Sequence, residues 1–202
     1  MFLRPRPAPT GPGAAAAARF PFLRLLCFIP LCLAAALAVA AEIHGTVVGV
    51  ADGDTVTVLD RARTEHRVRL SGIDAPERRQ AFGERAKLHL SALVFGKDVV
   101  VVWHKRDRYR RIVGKVLASE CSRNGCAKPL DVGLTLIGAG LAWHYRQYQS
   151  EQDPDDRQRY ADAEGAARRS HAGLWLEANP VAPWTFRRGP GRAQIAPNPP
   201  SL

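Results

Sequence analysis

Gly45-Thr46-Val47-Val48-Gly49-Val50-Ala51, Asp52-Gly53-Asp54 and Thr55-Val56-Thr57-Val58-Leu59 read in succession as strand, turn and strand. β-Branched side chains suit the pleated, half-buried surface of a sheet, and Asp-Gly-Asp is a turn signal. Working outward, His66-Arg67-Val68-Arg69-Leu70-Ser71 alternates polar and apolar, which predicts a third strand with one buried face. Phe82, Ala86, Leu90 and Leu93 then recur at helical spacing, predicting a helix over 82–93. Residues 97–103 and 111–117 are β-rich and predict the fourth and fifth strands, joined by the charged connection Asp107-Arg108-Tyr109-Arg110-Arg111. A short helix over 130–137 stops at Gly138 and Gly140. A longer one over 153–169 opens on acids and closes on bases, as the helix dipole favours.

Five short strands with a helix between the third and fourth, and no regular β-α alternation, argue against a doubly wound sheet. They predict an α+β domain: a five-stranded OB-fold β-barrel with about three helices. The implied organisation is a leader over 1–41, a globular domain over 42–186 and a disordered tail over 187–202, where Pro and Gly dominate.

Composition sets the class of partner. The chain has 202 residues and a net charge of +10. Arg4, Arg6, Arg19 and Arg24 precede residue 41 and all 19 acids follow it, so the remainder carries 25 basic against 19 acidic residues, or +6. A basic surface attracts polyanions, although solvating charge gives the same composition. The four arginines lead into an apolar run from Leu25 to Ala41 with a small-residue site at Ala38-Val39-Ala40. This reads as a signal peptide, or as an uncleaved membrane anchor; Pro30 inside a run at the short limit for a span favours export, to a periplasm or beyond the cell. Cys27 and Cys32 lie in that run. Cys121 and Cys126, separated by Ser-Arg-Asn-Gly, read as a small-loop disulfide in an exported protein, with no further ligands nearby for zinc.

The acids are the chemistry. Asp52 and Asp54 flank Gly53 at a strand junction, and Asp74 follows the third strand, which pairs with the second. Three aspartates with main-chain oxygens make a cage for calcium or magnesium and a poor one for zinc. Taken alone, Asp-Gly-Asp reads first as an Asx turn in a hairpin. Arg69 and Arg111 are the kind of group a phosphodiester-cleaving site needs, because a guanidinium fork holds two nonbridging oxygens at once. Glu77, stiffened by Pro76, is spaced to orient or deprotonate a water.

Four stretches carry a resemblance: Val50–Val56, Val68–Glu77, Asp107–Arg111 and Gly138–Trp143, with Ala163–Trp175 in support. Their content and order resemble the thermonuclease, or staphylococcal nuclease-like, family over roughly residues 43–177. The resemblance implies an OB-fold, Ca²⁺-dependent phosphodiester hydrolase that cleaves single- and double-stranded DNA and RNA with little sequence specificity. It would leave 3′-phosphate ends, need no small-molecule cofactor and act as a monomer. By motif, Asp54, Asp74 and the Ala75 carbonyl would ligate the ion, with Asp52 acting through water. Glu77 would serve the attacking water, Arg69 and Arg111 the scissile phosphate, and Tyr109 and Tyr148 the nucleotide. A non-catalytic OB-fold nucleic-acid-binding module is the alternative; the full acid and arginine set favours the enzyme. One departure stands out: Arg110 replaces the glycine that usually precedes the second arginine, and a positive φ there would cost an arginine conformational energy.

Overall fold

The computed structural model describes residues 41–118 and 130–189. The leader reading over 1–41, apart from Ala41, together with the Cys121–Cys126 pair and the end of the tail, lies outside the described residues.

Strands β1 (Ala41–Val50), β2 (Thr55–Asp60) and β3 (Glu65–Leu70) form an antiparallel meander. After β4 (Ile73–Asp74) and helix α1 (Gly83–Val94), β5 (Asp98–Arg106) pairs antiparallel with the other edge of β1, and β6 (Ile112–Ala118) pairs antiparallel with β5. The barrel closes where β6 meets β3 in parallel, Val68 opposite Ile112 and Arg69 opposite Val113. Closure leaves no free edge among these five strands. The sheet interior follows the period of two: Val56 and Val58 of β2, Val68 and Leu70 of β3, and Ile112 and Val116 of β6 are buried.

Helix α1 plugs the barrel through Ala86, Leu90 and Val94, spaced by four residues. The sequence pattern put Leu93 on that face. Leu93 is partly buried against the core, as is Phe82, which caps the helix at φ 64°, while Val94 next to Leu93 is fully buried.

β7 (Leu130–Asp131) leads directly into α2 (Val132–Gly138), and β8 (Trp143–His144) pairs with β4. A 3₁₀ stretch over Arg146–Glu151 precedes α3 (Pro154–Arg169). One buried carboxylate organises this side. Asp131 caps α2 by accepting from the Leu134 N–H at 3.0 Å, and it accepts from the Tyr160 hydroxyl of α3 at 2.9 Å. Lys115 of β6 stands 3.3 Å from the same carboxylate and 2.6 Å from Asp156 of α3. These contacts tie α2 and α3 to the barrel wall.

A fourth helix, α4 (Pro183–Arg188), continues two residues into the stretch that the sequence reading assigned to the tail. Pro183 at its first turn pre-sets φ, and Trp184 stacks on Tyr145, ring centroids 5.3 Å apart and planes at 17°.

Candidate active site

The β1–β2 turn, the β3–β4 turn and the β5–β6 hairpin open on one cleft of about 890 Å³. Gly53 allows the first of these to sit close. A Cβ there would stand 2.7 Å from the Cβ of both Ala75 and Ala86, so any side chain would push the Asp-Gly-Asp turn off the α1 side of the barrel. Gly72, at φ 74°, makes the second turn, which folds β4 back and delivers Asp74 beside the end of β2.

The three aspartates separate into two kinds. Asp52 is half-buried and accepts from the Asp54 N–H at 3.1 Å, the Asx turn that the bare motif allowed. Asp54 and Asp74 are buried. Asp54 accepts from the Thr55 hydroxyl at 3.0 Å and from the Ala75 N–H at 3.2 Å. Arg69 lies opposite Thr55 in the β2–β3 register and therefore reaches both acids. Its guanidinium is 3.2 Å from Asp54 and 2.6 Å from Asp74. Burial acts against the Arg69 charge, and the two carboxylates outweigh it. Asp54 is pushed up to about 7 by burial, assisted by Asp52 and Asp74 and opposed by Arg69. Burial thus disfavours the ionised form of Asp54 more than Arg69 restores it.

Arg111 stands at the entry to β6, across the barrel seam from β3. Its preceding residue, Arg110, does take a positive φ of 64°, so the departure from glycine is accommodated as local strain. Asp107 holds the hairpin in place. Its carboxylate accepts from the N–H groups of Tyr109 and Arg111, both at 2.9 Å, and from Arg111 Nε at 2.8 Å. Arg111 Nη1 donates to the Thr55 hydroxyl at 3.3 Å. Thr55 therefore links Arg111, whose guanidinium is paired with Asp107, to Asp54.

Glu77 lines the cleft, and its own N–H donates to Gln80 Oε1. Its carboxylate accepts from Arg187 Nη1 at 2.8 Å. Tyr109 and Tyr148 line the walls with exposed rings. Arg111 lies over the Tyr109 ring and Lys105 over the Tyr148 ring. The backbone N–H of Ala75 is turned to Asp54.

Among the described residues, no three His, Cys, Asp or Glu side chains converge closely enough to cage a metal by themselves. The donor chemistry nevertheless fits a hard cation. Two buried carboxylates, bridged by the Arg69 guanidinium, are an oxygen-only set that main chain and water would complete.

Sequence reasoning missed four residues of this cleft. Thr55 and Asp107 looked like a strand residue and a solvated turn. Tyr145 lies just past the Gly138–Trp143 motif and lines the cleft beside Tyr148. Arg187 was assigned to the tail; the signal that could have found it is Pro183 followed by an aromatic-rich turn and Gly189, a helix start and stop.

Comparison with known proteins agrees with the geometry. The model of the family described as staphylococcal nuclease homologue matches residues 67–177. A protein of Escherichia coli named as an uncharacterized endonuclease is 41% identical over 147 residues, covering 73% of this chain and 86% of that protein. A micrococcal nuclease of Shigella flexneri is 41% identical over 148 residues, covering 73% and 82%. A staphylococcal-like nuclease of Arabidopsis thaliana is 38% identical over 122 residues, covering 60% of this chain and 33% of that protein. With the closed five-stranded barrel, these similarities show that the chain belongs to the staphylococcal nuclease family.

Proposed function

We propose that this nuclease is a Ca²⁺-dependent hydrolase of DNA and RNA, with little sequence specificity, that leaves 3′-phosphate ends. The carrying observation is that one open cleft holds the buried Asp54–Asp74 pair, Arg69 bound to both acids and Arg111 linked to Asp54 through Thr55. Asp54, Asp74 and the Ala75 carbonyl would hold the ion, with Asp52 contributing through water. When bound, the ion supplies positive charge to the nonbridging oxygens of the transition state.

The remaining steps belong to the chain's own residues. Arg69 and Arg111 hold the phosphate oxygens in a forked geometry from two sides. Glu77 takes a proton from the water whose oxygen attacks phosphorus. The P–O5′ bond breaks, the 5′ oxygen gains a proton from solvent, and phosphate remains on the 3′ side. Tyr109 and Tyr148 offer stacking faces for a strand, which read no base sequence and so suit a broad substrate range. Because backbone contacts alone position the scissile bond, no base readout is required.

The test is cleavage of single-stranded DNA with Ca²⁺ and with chelator, alongside Glu77→Gln. Activity should vanish with chelator and fall by about 10²-fold or more in the variant. Protein that binds DNA but cleaves none at any Ca²⁺ level would leave the non-catalytic binding module as the correct reading. Equal activity in Glu77→Gln would remove Glu77 from the chemistry. Export is part of the proposal, and it rests on the N-terminal arginines and apolar run. N-terminal sequencing of mature protein should find residues 1–41 absent; an intact segment in the membrane fraction means anchoring.

A further inference from the structure

Helix α4 is short and terminal, yet it places a cation at the centre of the cleft. Arg187 meets Asp74 fork to fork: Nη2 to Oδ2 at 2.7 Å and Nη1 to Oδ1 at 3.2 Å. The same Nη1 donates to Glu77 at 2.8 Å. Asp74 is fully buried, and Arg69 already takes its Oδ1 at 2.6 Å. Both oxygens of Asp74 are therefore occupied by guanidinium groups.

From this geometry we infer that Arg187 is a built-in competitor of the metal ion, and that it sets the cation affinity of the site. The inference rests on the reading of Asp54 and Asp74 as cation ligands. A divalent ion on Asp74 would stand in contact with two guanidinium groups, and like charges at that range cannot all remain. Arg69 is rooted in barrel strand β3 with its side chain 18% exposed, whereas Arg187 is 39% exposed on a six-residue helix. Arg187 is the group that can leave. Its helix is otherwise held by the Tyr145–Trp184 stack, the edge contact of Trp184 with Trp143, and the Gln80 amide donating to the Val181 carbonyl. None of those contacts uses the Arg187 side chain, so they survive the exchange and keep the released guanidinium at the cleft mouth. The metal-free cleft is in this way kept neutralised, and each ion that enters must first displace Arg187. Apparent affinity is then lowered by the fraction of molecules whose Asp74 is free.

The experiment is calorimetric titration of the full chain with Ca²⁺ alone, in chelator-treated buffer without nucleic acid. Wild type, Arg187→Gln, Arg187→Lys and Arg188→Gln are compared. Arg188 lies next in the same helix, carries the same charge, and directs its Nε to the Trp184 carbonyl instead. Arg187→Gln should bind Ca²⁺ about ten-fold more tightly or better, and Arg187→Lys should fall between, since lysine keeps the charge but not the fork. Arg188→Gln should match wild type within about two-fold. Unchanged or weaker binding in Arg187→Gln, beside a wild type that does bind, overturns the competitor role alone. An equal gain in Arg188→Gln overturns it too, by showing a general charge effect. A wild type that binds no Ca²⁺ overturns the cation-site reading together with this inference.

Discussion

Replacing Asp54 by asparagine should stabilise the metal-free protein while abolishing its activity. Asp54 is raised from an ordinary value of 3.8 to about 7, first by burial and then by Asp52 and Asp74. A group whose folded pKa is raised contributes stability that is present below the unfolded pKa and lost as pH rises through the folded one. The gap of about three pH units, at about 1.4 kcal/mol each, makes the buried charge cost about 4 kcal/mol at high pH. Asparagine is isosteric with the protonated acid and never ionises. It keeps an oxygen for the Ala75 N–H but turns amide hydrogens toward Arg69, which offsets about 1–2 kcal/mol of the gain. The expected advantage is therefore negligible near about pH 5 and about 2–3 kcal/mol near about pH 9. For a domain of this size that is roughly 4–12 °C in Tm. Thermal melts of both proteins in chelator, at intervals across that range, measure it. A difference that stays flat with pH, or a variant less stable at the alkaline end, would refute the reasoning. Saturating Ca²⁺ should reverse the order, because only the wild type gains binding energy.

Arg110→Gly should raise stability by about 0.5–1 kcal/mol in thermal melts, since relief of the left-handed backbone exceeds the added chain entropy, with nuclease activity retained. Gly53→Ala should cost about 1–3 kcal/mol by overpacking against Ala75 and Ala86, and it should cut activity far more than stability because the Asp54 turn must shift. Asp107 is drawn up by burial, but the side-chain and backbone hydrogen bonds of Arg111 outweigh this and hold it below its ordinary 3.8. Its contribution is thus fully present above about pH 4 and lost as pH falls through the lowered value, so Asp107→Asn should flatten the acid limb of a Tm–pH curve. The same variant frees the Arg111 fork and should raise KM for single-stranded DNA more than it lowers kcat, measured by initial rates near neutral pH.

The barrel was legible because its strands carry β-branched side chains at a period of two, and because the helix between the third and fourth strands breaks that period. The Asp54, Asp74, Arg69 and Arg111 set was legible through motif order. What joins them was not. Thr55 is one more threonine in a strand until Arg111 arrives from β6 to share its hydroxyl. Asp107 resembles any acid in a basic hairpin until its carboxylate gathers three N–H donors. Arg187 was hidden by composition: a Pro-rich end dilutes any periodicity, and the few aromatic and polar contacts that dock these six residues leave no pattern in the sequence. Asp52 shows the opposite case, where the plain turn-forming role and the proposed role through water share one side chain.

The parallel pairing of β3 with β6 has a consequence for how the enzyme becomes active. Arg69 and Arg111 sit at the two sides of that seam, and the strands that carry them are joined through α1 and β5 rather than by a hairpin. No local segment can bring the two guanidinium groups together, and a long loop must close before they meet. On the proposed mechanism, catalytic competence is therefore a property of the completed barrel. A nascent or partly unfolded chain would carry every acid and base of the cleft and still cut nothing, and the return of cleavage during refolding would time the sealing of the last seam.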